Sequence, residues 1–258
     1  MSTDSHRRSN PLSYFDVILS ITHFVGFVAV CLNGYFFNTF KNGLGWPNKN
    51  QTIDTPDHPN PDAKYNGKRG DQLHAFLMVL AFIYFQGEAL LAYRVYRYTA
   101  KMISKLIHTA LHIIAIGLAI VALVVIIINT NNLGYNNFTS VHSWIGVCLL
   151  SVYLVQFSFG FLTYLCPCTP GTHRARLLPV HRAVGVGTLV VACVQCVLGY
   201  ATVLLEDQPS CFGDLSCKNR IEYVAAFSVL SIILYVLLVL ALVVPVPWRR
   251  AKTPDELK

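Results

Sequence analysis

The amino-acid sequence predicts an all-α integral membrane protein with six transmembrane helices and both termini in the cytosol. Three observations support this fold class. The chain has 258 residues, of which 54% are hydrophobic and 13% are charged, whereas a soluble domain carries about 25% charged residues. The hydrophobic residues form long continuous runs, and the basic residues are concentrated in alternate loops. The low charge also excludes a disordered or nucleic-acid-coating protein, so we expect no nucleic-acid partner.

Six runs are long enough to cross a bilayer, because a hydrocarbon core about 30 Å thick is spanned by roughly 20 mainly apolar residues in a helix. The runs are continuous rather than alternating, which favours helices over a transmembrane barrel. We predict a cytosolic tail over residues 1–16, one membrane domain over 17–247 and a cytosolic tail over 248–258. The first run can itself span, so no cleavable signal peptide is expected, and no internal repeat is evident. In chain order the spans are Val17–Phe37, Leu73–Tyr93, Leu106–Ile128, Val141–Leu165, Leu178–Leu205 and Tyr223–Val244.

The charge distribution sets the predicted orientation, because Lys and Arg collect in short cytosolic loops. Thirteen of the 20 basic residues lie in the two tails and in the loops that join helices 2 to 3 and 4 to 5. Eight of the 13 acidic residues lie in the opposite loops. The basic residues assigned to the cytosol are Arg7, Arg8, Arg94, Arg97, Lys101, Lys105, Arg174, Arg176, Arg182, Arg249, Arg250, Lys252 and Lys258.

The predicted non-cytosolic loops carry two further features. Asn50 begins an Asn-Gln-Thr glycosylation acceptor pattern. Asn137 begins a second match, but it lies so close to helix 4 that we do not expect modification. Cys211 and Cys217 lie six residues apart in the last outer loop, where oxidation is permitted. We predict a disulfide between them.

Histidines within the spans indicate function, because an imidazole in hydrocarbon is costly unless it has a partner. His74, His108, His142 and His181 each lie within about four residues of the start of helices 2, 3, 4 and 5. His112 follows His108 by one helical turn, and we favour a hydrogen-bonding role for it. His23 lies in helix 1 without an evident partner helix, so we interpret it as a packing residue.

Consecutive helices alternate in direction, so the four helix-start histidines divide between the two faces of the membrane. His74 and His142 are expected near the outer face, and His108 and His181 near the cytosolic face. Helices of a bundle build cofactor sites from inward side chains. Two imidazoles from opposite sides suit the two axial positions of one haem iron. The sequence therefore predicts a central four-helix bundle of helices 2 to 5 that holds two bis-histidine haems.

Two other interpretations remain open at this point. The histidines could hydrogen-bond between helices in a membrane scaffold, or they could form a metal or proton transporter without haem. Transport sites usually add carboxylates, and Glu88 is the only acid deep within helices 2 to 6. Haem needs only imidazoles from the protein, so the composition favours haem.

Five stretches of this sequence resemble the cytochrome b561 family, and the resemblance extends from about Tyr35 to Pro247. They are the run Phe85–Arg97, the pattern Lys105-Leu106-Ile107-His108 with Leu111-His112, the segment Ser140-Val141-His142-Ser143-Trp144, the segment Leu178-Pro179-Val180-His181, and the turn Gly43-Leu44-Gly45-Trp46.

The resemblance implies a transmembrane oxidoreductase with two haems b. It implies electron transfer from cytosolic ascorbate to monodehydroascorbate or a ferric or cupric chelate on the other side. Arg94, Lys101, Lys105 and Arg174 are the candidate cytosolic ascorbate site, since basic residues suit an anionic donor. Phe138, Ser140 and His142 are the candidate acceptor site. We expect the plasma membrane or an endosomal, lysosomal or secretory-vesicle membrane, and a homodimer is compatible with the sequence.

Overall fold

The computed structural model describes residues 11–40, 43–47, 68–166, 169–206 and 221–245. These residues form six membrane-length helices, and no strand occurs among them. All six predicted spans are confirmed. We label the helices α1 (Pro11–Thr39), α2 (Lys68–Met78, Val79–Phe85 and Gln86–Val95 in one continuous helix), α3 (Lys101–Asn132), α4 (Val141–Gly160 continued by Phe161–Leu165), α5 (Gly171–Glu206) and α6 (Ile221–Val243).

Several helices begin well before the apolar runs that predicted them. Helix α1 starts at Pro11 instead of Val17, and α5 starts at Gly171 instead of Leu178. The physical reason is that the apolar run marks only the part of a helix inside the hydrocarbon, whereas the helix continues through the polar headgroup layer. The extension of α5 places Arg174 on a helix rather than in a loop.

Helix α2 contains a π-helical segment, Val79–Phe85, in its middle. Most of this segment is buried. A π turn accommodates an extra residue within a helix, and such turns are frequent at functional sites. The two halves of α2 therefore keep their positions relative to α3 although the first half is one residue longer than an α-helical path requires.

The helices pack as three pairs, α1 with α6, α2 with α3, and α4 with α5. Helix α6 also packs against α2 and α5, and it presses the ring of Tyr235 between two glycines. A methyl group on Gly26 or on Gly87 would stand 2.6 Å from that ring. These glycines let α1 and α2 approach α6 closely, and packing against small residues is the usual basis of helix association in lipid.

Polar contacts fix the helix ends. At the cytosolic ends, Arg94 donates to the carbonyl oxygens of Val243 and Pro245 and so joins α2 to α6. Arg97 pairs with Asp16 at 3.1 Å and so joins the residues after α2 to α1. Because lipid offers no hydrogen bonds, such contacts hold the helices in register.

Candidate functional site

The predicted inner histidines face each other across the bundle. The ring centres of His108 on α3 and His181 on α5 lie 6.4 Å apart, and the ring planes make an angle of 65°. Metal–imidazole bonds are about 2.0–2.1 Å long, so two imidazoles on opposite sides of one iron have ring centres roughly 6–6.5 Å apart. The observed spacing is therefore that of a shared axial pair.

The orientation of His108 is fixed by its second ring nitrogen. Its Nδ1 lies 2.7 Å from the carbonyl oxygen of Ala89. A carbonyl can only accept, so Nδ1 carries the hydrogen and Nε2 keeps its lone pair. This is the tautomer that binds iron through Nε2, and a carbonyl contact of this kind is the usual support of a ligating histidine.

His181 is held by α4. The amide nitrogen of Gln156 lies 2.9 Å from His181 Nδ1 and donates to the His181 carbonyl oxygen at 2.6 Å. The ring of Tyr164 lies 5.1 Å from the imidazole. A methyl group on Gly160 would stand 2.8 Å from His181 Cε1. Glycine at this position therefore leaves room for the imidazole where α4 and α5 meet.

The predicted outer histidines lie at the opposite end of the bundle. His74 Nδ1 donates to the carbonyl oxygen of Ala122 at 2.9 Å, which leaves Nε2 free as in His108. His142 lies within electrostatic range of His74. Its Nδ1 is buried and has no hydrogen-bond partner among the described residues. A methyl group on Gly199 would stand 3.2 Å from His142 Cε1.

Two of the remaining intramembrane histidines contact other side chains. His112 Nδ1 lies 2.5 Å from the hydroxyl of Tyr153, so this histidine is hydrogen-bonded across to α4. His23 on α1 pairs with Glu88 on α2 at 3.1 Å, and the hydroxyl of Tyr235 donates to the same carboxylate at 3.0 Å. The interpretation of His23 as a packing residue without a partner was wrong. His23 and Glu88 were the two ionisable span residues left unassigned, and that coincidence was the signal for the pair.

The four helix-start histidines fit two haems. Each predicted pair combines one imidazole from the α2–α3 pair of helices with one from the α4–α5 pair. The two α2–α3 imidazoles are held by carbonyls in the tautomer that exposes Nε2. Within the described ranges, no group of three or more His, Cys, Asp or Glu side chains is arranged to hold a bare metal ion.

The predicted basic residues at the cytosolic face are only partly brought together. Lys105 Nζ donates to the carbonyl oxygen of Tyr164 at 2.6 Å, and Tyr164 contacts the inner ligand His181. Lys101 and Arg174 lie within electrostatic range of Lys105. Arg94 bonds to α6 instead, so its contacts favour a structural role and we leave it out of the site proposed below.

The predicted acceptor residues surround the start of α4. Ser140 caps the helix by accepting from the Ser143 backbone N–H at 3.1 Å, while the Ser143 hydroxyl donates to the Ser140 carbonyl at 2.7 Å. Phe138 is partly exposed and has a positive φ of 58°. Trp144 is exposed one turn into the helix. Asn50, Cys211 and Cys217 lie outside the described residues, so the glycosylation site and the disulfide stay predictions.

Comparison with known proteins identifies the family. The family profile described as eukaryotic cytochrome b561 matches residues 73–206, which are 134 of the 258 residues. The chain belongs to the cytochrome b561 family. All four helix-start histidines fall within the matched range, whereas α1 and α6 lie outside it.

Several curated relatives cover most of the chain. It is 26% identical to the transmembrane ascorbate-dependent reductase CYB561 of Mus musculus, over 92% of this chain and 86% of that protein. It is 29% identical to the Homo sapiens protein of the same name over 72% and 67%, respectively. It is 34% identical to the ascorbate-specific transmembrane electron transporter 2 of Zea mays over 50% and 54%. Membership of the cytochrome b561 family implies haem b as the cofactor, which agrees with the geometry of the four histidines.

Proposed function

We propose that this chain carries electrons across a membrane from cytosolic ascorbate to a non-cytosolic acceptor through two bis-histidine haems b. The observation that carries the proposal is the pair His108 and His181, whose ring centres are 6.4 Å apart with the second nitrogen of His108 held by a carbonyl. The names of the relatives, ascorbate-dependent reductases and an ascorbate-specific electron transporter, support the same function.

Haem b supplies one-electron chemistry, and the protein tunes its potential through the axial ligands, burial and hydrogen bonds. Here His108 and His181 would hold the inner haem, and His74 and His142 the outer one. Because the pairs lie at opposite ends of the bundle, the helices fix two electron carriers in series across a barrier that no aqueous carrier enters.

On the cytosolic side, we assign Lys101, Lys105 and Arg174 to ascorbate binding. Ascorbate is an anion at neutral pH, and three close cations raise its local concentration and bind its oxygens. Arg174 Nε is buried without a hydrogen-bond partner within the described part of the chain, so it has donor capacity to offer. Lys105 connects the site to the inner haem, since it contacts Tyr164 and Tyr164 contacts His181.

On the opposite side, we assign Phe138, Ser140 and His142 to the acceptor. The left-handed backbone at Phe138 turns the chain immediately before the capped start of α4 and leaves its ring partly exposed. An aromatic surface beside the outer ligand gives an acceptor such as monodehydroascorbate or a ferric or cupric chelate a place to rest near the haem edge.

The test is the absorption spectrum and haem content of the purified protein. We expect two low-spin haems b per chain. His74→Ala and His142→Ala should each remove the outer haem, and His108→Ala and His181→Ala the inner one, because each site depends on two ligands. His173→Ala is the matched control, since His173 is an exposed histidine before the membrane-embedded part of α5.

One haem per chain after full reconstitution, or full retention in the four ligand variants, would overturn the proposal. A protein without any Soret band that still transports metal ions or protons in vesicles would favour the transporter instead.

A further inference from the structure

Helices α4 and α5 are two copies of one sequence pattern. Shifting the chain by 39 residues aligns residues 141–160 with residues 180–199, and nine of the 20 aligned positions are identical. The expectation that the sequence has no internal repeat was therefore wrong. The identical pairs are Val141/Val180, His142/His181, Gly146/Gly185, Val147/Val186, Leu150/Leu189, Val152/Val191, Val155/Val194, Gln156/Gln195 and Gly160/Gly199.

The two copies run in opposite directions, and each contacts the histidine of the other. Gln156 on α4 donates to the carbonyl of His181 on α5, while Gln195 on α5 donates to the carbonyl of His142 on α4. Exchanging the two copies therefore converts one contact into the other.

The glycines repeat this exchange. Gly160 and Gly199 each face the ring of the other copy's histidine, with Cε1 at 2.8 and 3.2 Å from an added methyl group. The equivalent pair Gly146 and Gly185 each face the amide nitrogen of the other copy's glutamine, at 3.1 and 3.8 Å. Three kinds of contact thus obey the same two-fold relation, which is a relation between inverted repeats in a membrane.

One contact breaks this relation. The amide of Gln156 lies 2.9 Å from Nδ1 of His181. The equivalent atoms in the outer half are His142 Nδ1 and the amide oxygen of Gln195, and both are buried without a hydrogen-bond partner among the described residues. Two orphaned complementary atoms at symmetry-related positions are the two sides of one missing bond, since buried polar atoms are normally paired.

We infer that Gln156 and Gln195 are equivalent positioning residues for the ligands on the opposite helix, Gln156 for His181 of the inner haem and Gln195 for His142 of the outer haem. In the iron-binding tautomer Nδ1 carries the hydrogen and donates to the glutamine amide oxygen. The inference rests on the proposed haem ligation and assigns residues that the ligand pattern alone does not reveal.

The α2–α3 pair supports this assignment by a parallel arrangement. His74 donates to Ala122, which lies 14 residues after His108, and His108 donates to Ala89, which lies 15 residues after His74. In α4 and α5 each glutamine likewise lies 14 residues after its own helix's histidine. The extra residue in α2 is the one that its π segment absorbs. Each haem would therefore have one ligand supported by a carbonyl and one by a glutamine.

The experiment is redox titration of the purified holoprotein with Gln195→Leu, Gln156→Leu and Gln86→Leu. Loss of an acceptor from Nδ1–H makes the imidazole a weaker donor to iron and destabilises the ferric state. We expect Gln195→Leu to raise the midpoint potential of the outer haem alone, and Gln156→Leu that of the inner haem alone. Retention of the affected haem should fall about tenfold or more. The two potentials are assigned by their loss in His74→Ala and His108→Ala.

Gln86→Leu is the matched control, because Gln86 is a buried glutamine of α2 that contacts Thr188 and not a histidine. Gln195→Glu retains an acceptor and should give a potential no higher than that of the unsubstituted protein. A variant that binds no outer haem is tested by this substitution, which should restore it.

Two bound haems whose potentials are unmoved by both leucine substitutions would overturn the inference and leave the proposed function intact. A glutamine that shifts the haem of its own helix, or both haems equally with the Gln86→Leu control, would also overturn it. Absence of haem from the unsubstituted protein would instead refute the proposed function.

Discussion

At the scale of single residues, the histidines differ in what surrounds them rather than in where they lie along the sequence. His108 and His112 are four residues apart on one helix, and both were available as inner ligands. The structure separates them, because His108 is turned by the Ala89 carbonyl towards His181 whereas His112 is bonded to Tyr153. Helical spacing could place both residues at the same depth, but it could not predict these contacts between helices.

The glycines beside the ligands give a sharp test of ligand packing. Gly160→Ala places a methyl group 2.8 Å from His181 Cε1, so the ring must move and the inner haem should be bound more weakly. Gly117→Ala on α3 is the control, because nothing lies within 4 Å of the added methyl group. We expect Gly160→Ala to lose about tenfold or more in inner-haem retention, measured by haem content after detergent washing. Equal retention in the two variants would contradict this.

The ion pair between α1 and α2 predicts a difference in stability between two similar substitutions. Glu88 and Asp16 each pair with a basic side chain at 3.1 Å, but the Glu88 side chain is 17% exposed and that of Asp16 is 66% exposed. Exposed pairs contribute about 0–1 kcal/mol, whereas a buried pair that loses one partner costs more.

We expect Glu88→Gln to destabilise the protein by about 1–2 kcal/mol, with the value for a fully buried pair reduced because His23 is 40% exposed. Asp16→Asn should change stability by less than about 1 kcal/mol. Thermal unfolding of the two variants in detergent measures the difference. A larger effect of Asp16→Asn would show that the Glu88 carboxylate does not stabilise the helix pair.

At the scale of helices, the sequence predicted all six spans but not their ends or internal irregularities. Hydrophobicity located Leu73–Tyr93 correctly, because the cost of exposing polar groups to lipid is encoded in composition. The π segment Val79–Phe85 is as apolar as the turns around it, so no compositional signal marks it. The polar start of α5 at Gly171 was likewise missed, since it lies outside the apolar run.

The π segment predicts an unusual tolerance to deletion. Removing Leu80 should convert the π turn to α-helix and leave His74 and Ala89 facing α3, because the π turn absorbs the extra residue. Removing Gly117 from α3 has no such reserve and should rotate His108 relative to Ala122 by about 100°. We expect the Leu80 deletion to keep both haems and the Gly117 deletion to lose at least one, measured by haem content. The reverse result would mean that the π turn does not carry the extra residue.

At the scale of the whole molecule, charge and symmetry do different work. The excess of Lys and Arg in alternate loops predicts which face is cytosolic, and three of those basic residues gather near the inner ligand pair. The inverted repeat of α4 and α5 places an equivalent histidine near each face, so the two ends are alike in their ligands and differ in their surroundings. The direction of electron flow is then decided at the surfaces, by a basic cluster on one side and an aromatic turn at Phe138 on the other.

This difference between the faces predicts that the two half-reactions can be impaired separately. In vesicles with the cytosolic face outward, Lys101→Ala, Lys105→Ala and Arg174→Ala should slow haem reduction by added ascorbate. Loss of one charge-assisted hydrogen bond costs about 1.5–3 kcal/mol, which corresponds to roughly a tenfold to hundredfold weaker affinity. Oxidation by an acceptor trapped inside should be nearly unchanged, whereas Phe138→Ala and Ser140→Ala should slow oxidation and spare reduction.

Arg176→Ala separates local binding from general charge attraction. Arg176 is exposed and lies two residues from Arg174, so helical geometry turns it to the other side of α5 while it removes the same charge from the same face of the membrane. Stopped-flow reduction at limiting ascorbate should therefore be slow for Arg174→Ala and close to that of the unsubstituted protein for Arg176→Ala. If both variants slow equally, the cluster only attracts anions through its net charge, and if neither slows, ascorbate donates its electron elsewhere.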